Sequence, residues 1–149
     1  MCSSDLETGS VTSMLYMFSQ AITFNGDISG WKIGSIAGVA DTRFMFEGAT
    51  SFNGNLSTWS TGRVSSMSYM FHGALSFNGN ISSWSTGKVI DMSYMFYRAS
   101  SFNGDVSSWN IGQVTTMKSM FQLLHSFHQV LCWNFTANID RTEIGRAHV

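Results

Sequence analysis

The chain has 149 residues, a formal net charge of −1 and only 11% charged side chains, less than half the proportion of an ordinary soluble domain. One domain is expected from that length, and so few cations on a near-neutral chain argue against nucleic acid or an anionic membrane surface as partner. No run of about 18 apolar residues is present, so no membrane insertion is expected within the chain, and no cationic-then-apolar leader opens it as a signal peptide would.

At the two ends, Cys2–Leu6 can be encoded by a nucleotide string whose reverse complement encodes Glu143–Ala147. Residues 1–6 and 143–149 are therefore expected to be a translated sequencing-adapter artefact, with 7–142 as the repeat fragment. Setting Cys2 aside leaves Cys132 alone, with neither a disulfide framework nor a Cys/His metal spacing.

Between those ends the chain repeats itself. Met-Phe pairs fall at Met17, Met45, Met70, Met95 and Met120, the last four 25 residues apart. Phe-Asn-Gly recurs at Phe24, Phe52, Phe77 and Phe102, and Trp31, Trp59, Trp84 and Trp109 each follow seven residues later. With a second Met column three residues earlier (Met14, Met67, Met92 and Met117) and Phe127 in the fifth Phe place, every Met except Met1 and ten of the twelve Phe sit in these columns. A fixed period in this range is the mark of stacked repeats, placed near 11–38, 39–63, 64–88, 89–113 and 114–142. Repeat one carries a three-residue insertion in Lys32–Gly38, expected as a bulge. In repeat two Thr42 replaces the first Met, and repeat five decays after Phe121, as suits a terminal repeat.

Within a repeat, Val64, Met67, Met70, Phe71 and Ala74 fall in one sector at ~100° per residue, the spacing of a short amphipathic helix. Phe77-Asn78-Gly79 ends it, with Gly supplying positive φ. Asn80–Trp84 reads as a short strand and Ser85-Thr86-Gly87 as the turn back. The expected fold is an α/β solenoid of helix-plus-strand coils, its strands ~4.8 Å apart. Met, Phe, Ile/Val/Leu and Trp then form interior columns, which requires Trp59, Trp84 and Trp109 to lie in a file.

The pattern Val-x-x-Met-x-x-Met-Phe-x-x-Ala, then Phe-Asn, Ile-Ser-x-Trp and a following Val, resembles the BspA-like leucine-rich-repeat surface proteins. Their repeat is also known as a mycoplasma-type lipoprotein-associated domain of unknown function. The match runs from Val11 to about Trp133. The resemblance implies a leucine-rich-repeat-like, right-handed solenoid of about five coils on secreted or surface-anchored proteins, with adhesion or protein contact as the generic role.

Candidate functional residues follow from the columns. The Met columns lie on the apolar arc and read as adaptable core filler. Tyr16, Phe44, Tyr69 and Tyr94 point ~140° round from Val64, away from the apolar sector, and exposed aligned aromatics mark contact surfaces. The bland alternative is that they cover the edge of the core. Asn25, Asn53, Asn78 and Asn103 read as an amide ladder between repeats, and Asp27 and Asp105 are too sparse for calcium. Asn55, Asn80 and Asn134 open N-glycosylation sequons. Ser29, Ser57, Ser82 and Ser107 form a hydroxyl row that reads either as a glycan or ice-like face or as solvated surface. His72, His125 and His128 have no partnered nucleophile or orienting acid, so no enzyme is expected.

No cofactor is expected. The chain reads as an extracellular or cell-surface interaction module whose partner is an unknown protein or glycan. The alternative is a structural spacer or stalk with no specific ligand.

Overall fold

The computed structural model describes residues 13–31, 33, 41–135, 139, 144 and 145. The insertion in repeat one lies almost wholly outside them, as does Thr136 of the third sequon.

The repeats lie against one another in register. Parallel bridges join Ser13 to Asp41, Asp41 to Ser66, Ser66 to Asp91 and Asp91 to Thr116. Beside them the N–H groups of one repeat donate to carbonyls of the next: Tyr69 to Ser93 at 3.0 Å, Phe71 to Met95 at 2.9 Å and Gly73 to Tyr97 at 2.8 Å. The intervening residues close turns within their own repeat, as Met70 donates to Met67, His72 to Tyr69 and Ala74 to Phe71.

This alternation overturns the expected α/β solenoid of helix-plus-strand coils. The described residues contain no α-helix, and their strand-like pairing stays at isolated bridges. Two backbone positions of the expected helix in repeat three, Tyr69 at φ 59° and Gly73 at φ 68°, are left-handed, whereas an α-helix needs φ near about −60° throughout. The same two positions are left-handed in every repeat: Tyr16 and Gln20, Phe44 and Gly48, Tyr94 and Arg98, Ser119 and Leu123. In the turn closed by Met70 on Met67, Tyr69 is the third residue, where a type II turn requires positive φ. Successive turns advance the chain by three or four residues between inward positions, so the apolar spacing imitates a helix.

The expected strand at Asn80–Trp84 is also a turn, closed by the Trp84 N–H on the Ile81 carbonyl at 3.1 Å. Nor do the glycines of Phe-Asn-Gly supply positive φ, for Gly54, Gly79 and Gly104 are absent from the left-handed set. They are small because the neighbouring repeat is close: a Cβ on Gly79 would stand 2.8 Å from the Gly54 carbonyl oxygen.

The interior is a set of aromatic files. Phe46, Phe71, Phe96 and Phe121 stack at 5.5, 5.6 and 6.0 Å with interplanar angles of 2–3°. Phe52, Phe77, Phe102 and Phe127 stack at 6.0, 5.9 and 5.9 Å. Within a repeat the two files touch, Phe71 lying 3.9 Å from Phe77. Trp59, Trp84 and Trp109 lie in a file at 6.4 and 6.2 Å. Each indole N–H donates back to a carbonyl of the preceding repeat, Trp59 to Ile28, Trp84 to Leu56 and Trp109 to Ile81. A buried indole needs such a partner, and the repeat supplies the same one each time.

Polar side chains are used in the same way. Asn53, Asn78, Asn103 and His128 donate their backbone N–H groups to the amide oxygens of Asn25, Asn53, Asn78 and Asn103 at 2.8–3.0 Å. The amide ladder therefore exists with backbone donors, joined at its end by one amide-to-amide bond from Gln129 to Asn103 at 3.2 Å. Thr58, Ser83 and Ser108 donate hydroxyls to the Ser29, Ser57 and Ser82 carbonyls. Among the described residues no buried side-chain nitrogen or oxygen lacks a partner. At the far end, Ile144 is buried and its carbonyl accepts the Phe121 N–H at 2.9 Å, where a sixth repeat's Met would stand.

Candidate aromatic contact surface

Tyr16, Phe44, Tyr69 and Tyr94 form a single ladder on the outside of the stack. Their ring centroids are 4.6, 4.6 and 4.7 Å apart, at interplanar angles of 20, 15 and 17°. Tyr16 is 52% exposed and the other three are half-buried. In repeat five the position falls to Ser119, which ends the ladder.

The ladder sits on left-handed backbone, φ 56–59° at all four residues. A left-handed non-glycine residue costs about 1–2 kcal/mol. Against this, each aromatic stack contributes about 0.5–1.5 kcal/mol beyond its buried area, and the backbone bond of each rung to the next repeat adds about 1 kcal/mol. Tyr69, stacked on both faces and bonded to Ser93, recovers its strain. The backbone conformation in turn points the ring away from the Phe files, because the turn on either side faces inward.

A second column stands three residues further on, at Ser19, Glu47, His72, Tyr97 and Gln122. The His72 ring stacks on Tyr97 at 5.0 Å and leans on Tyr69 at 5.4 Å, while Tyr97 leans on Tyr94 at 5.8 Å. Ser19 donates to the Glu47 carboxylate at 2.7 Å. Together the columns make one aromatic surface over repeats three and four. Sequence reasoning singled out the ladder and missed Tyr97. It treated His72 only as a catalytic candidate. The signal was there, since His72 and Tyr97 share a register position, but only two of its five residues are aromatic, the others being Ser19, Glu47 and Gln122.

The electrostatics of the surface are mild. Burial raises the Tyr69 phenol above its ordinary value, with the Tyr94 and Asp91 charges adding to it. Burial lowers the His72 imidazole, opposed by the Glu47 carboxylate and assisted by Arg98. Beside the ladder, Arg43 donates to both carboxylate oxygens of Asp41, at 3.0 and 2.8 Å, and this holds Asp41 below the usual carboxylate range.

Most of the remaining candidates are engaged within the stack. Asn55 and Asn80 accept both the backbone N–H and the hydroxyl of Ser57 and Ser82, at 2.8–3.1 Å. Asn134 is exposed. Asp27 and Asp105 cap Ser29 and Ser107 in the same way, which lowers both carboxyls. The hydroxyls of Ser57 and Ser82 are thus taken up internally. His128 holds Asn103 through its backbone N–H, and Cys132 is exposed. Among the described residues no three His, Cys, Asp or Glu side chains gather where a metal ion would fit, and no helix is long and apolar enough to cross a membrane.

Comparison with known proteins returns no match among curated proteins and none among solved structures. A family does match, over residues 3–41 and 35–135, two overlapping stretches that cover most of the chain. The chain belongs to the repeat family described as "Mycoplasma protein of unknown function, DUF285".

Proposed function

We propose that the chain is a non-catalytic interaction module of a cell-surface or secreted protein, and that the Tyr16–Phe44–Tyr69–Tyr94 ladder is its contact surface. One observation carries this reading: four aromatic rings, aligned and partly open to solvent, are held outside a core that is already filled. Tyrosines of this kind are typical anchors of protein interfaces, because they bring area with little rotamer entropy to lose. The likeness of the repeat to BspA-like surface proteins supports the same role.

Between a protein and a glycan partner, ring geometry favours the protein. A sugar stacks on the face of an aromatic ring, and both faces of Phe44 and Tyr69 are occupied by their neighbours. The inner rungs offer edges and hydroxyls instead, which suit backbone carbonyls and apolar side chains. A second reading, a spacer without a ligand, draws support from the Asn and hydroxyl rows, whose hydrogen bonds run between repeats.

A surface-protein and glycan array, run with the wild type and with Tyr69→Ser/Tyr94→Ser, separates these readings. Ser119 occupies the same register position with φ 53°, so serine fits the backbone there. Loss of two anchor rings costs about 2 kcal/mol or more, roughly thirtyfold in affinity. Protein binding that the double variant leaves unchanged overturns the ladder as contact surface, and the absence of any ligand favours the spacer.

A further inference from the structure

We propose that Tyr69 and Tyr94 form an oxidative cross-linking site, at which peroxide and a haem peroxidase join the two rings as dityrosine and fasten repeat three to repeat four. The two phenols are the only adjacent pair of tyrosines in the ladder. Their centroids are 4.7 Å apart and their planes 17° from parallel. Both rings are half-buried, so an oxidant reaches them, and both are fixed from behind by backbone bonds to the next repeat, Tyr69 to Ser93 and Tyr94 to Lys118. Holding two reacting groups in contact makes their coupling effectively unimolecular, which favours it over coupling between chains.

Each phenol gives up one hydrogen atom, and peroxide takes both, its O–O bond breaking to yield two waters. The two phenoxyl radicals pair through the ring carbons ortho to their oxygens, forming one C–C bond. The two displaced ring hydrogens return to the phenol oxygens as the rings regain aromaticity. Two phenols and one peroxide thus give one biphenol and two waters, and the chain is lighter by two hydrogens.

The surroundings make the site selective. Tyr16 is separated from Tyr69 by Phe44, which has no phenolic hydrogen to lose. The Trp59, Trp84 and Trp109 rings are 3–4% exposed and out of reach. The competing pair is Tyr94 with Tyr97, further apart at 5.8 Å and tilted by 55°. Contact with a partner is not needed, so the site stands or falls separately from the proposed function.

The test is treatment of the dilute chain with hydrogen peroxide and a haem peroxidase, followed by trypsin and mass spectrometry. Trypsin cuts after Arg63, Lys88 and Arg98, so Tyr69 and Tyr94 fall in different peptides, whereas Tyr94 and Tyr97 share one. The expected product joins peptide 64–88 to peptide 89–98 with two hydrogens missing, in a chain that remains monomeric. Tyr69→Phe and Tyr94→Phe, which keep the stack as Phe44 does, abolish it; Tyr16→Phe and Tyr97→Phe retain it. A link inside peptide 89–98, links only between chains, or oxidation of exposed Met17 with no dityrosine each overturns the proposal.

Discussion

Two glycines of repeat three, six residues apart, are small for different reasons, and replacing each by alanine separates those reasons. A Cβ on Gly79 would stand 2.8 Å from the Gly54 carbonyl oxygen and 3.0 and 3.3 Å from two carbons of the Phe77 ring. Neither neighbour has room to yield. Next to Gly54, the Asn53 side-chain oxygen accepts the Asn78 N–H of repeat three at 2.8 Å, and Phe77 is wedged between Phe52 and Phe102 at 6.0 and 5.9 Å. Overpacking of this kind costs about 2–3 kcal/mol. On Gly73 the added Cβ meets nothing closer than 3.8 Å, so only its left-handed φ of 68° counts. That strain is about 1–2 kcal/mol, and the lower entropy of an unfolded alanine returns about 0.4–1 kcal/mol of it. With the same return taken off both, Gly79→Ala should lower the melting temperature by roughly 3–10 °C and Gly73→Ala by roughly 0–6 °C, at about 3–4 °C per kcal/mol for a chain of this size. Urea titration of both variants beside the wild type gives the same comparison as midpoints. Equal losses, or a larger loss at Gly73, would refute the argument that repeat-to-repeat contact dictates the glycine at 79.

Trp84→Phe removes the indole bond to the Leu56 carbonyl and part of a buried ring, and should cost about 2–3 kcal/mol by denaturant titration; the Leu56 carbonyl keeps the Trp59 N–H, so no orphan is left. Asn78→Ala deletes the acceptor for the Asn103 N–H at an exposed site and should cost about 1 kcal/mol, whereas Asn78→Asp, which keeps an acceptor oxygen, should cost less. His72, lowered by burial from 6.5, binds a proton more readily unfolded than folded. The sign of the linkage is therefore that stability falls as pH drops below about 6.5 and levels off below the folded value. His72→Phe, which keeps a ring on Tyr97, should flatten that slope in melts between pH 7 and 5, and an unchanged slope would assign it to other groups.

Much of the molecule was legible in the chain because a repeat writes its own contacts. Residues in one column must meet if the repeats lie in register, and Trp59, Trp84 and Trp109, the Phe files and the Asn ladder follow from that alone. The aromatic ladder was visible on the same ground. What the columns concealed was the path between them. Met67, Met70, Phe71 and Ala74 carry helical spacing, yet the backbone between them runs through left-handed turns at Tyr69 and Gly73. Spacing reports which residues face inward, and two backbone paths share that spacing.

The choice between those paths is made by the neighbouring repeat. A helix would satisfy its N–H groups internally. Here Tyr69, Phe71 and Gly73 donate instead to the repeat that follows, and the left-handed φ at Tyr69 is offset by that bond and by the rings stacked on its two faces. No local propensity selects that state, and tyrosine at positive φ opposes it. The chain by itself determined which side chains share a column and that the columns form an interior. Only the packed stack decided the backbone that carries them, because the bonds that stabilise each turn belong to the repeat beside it.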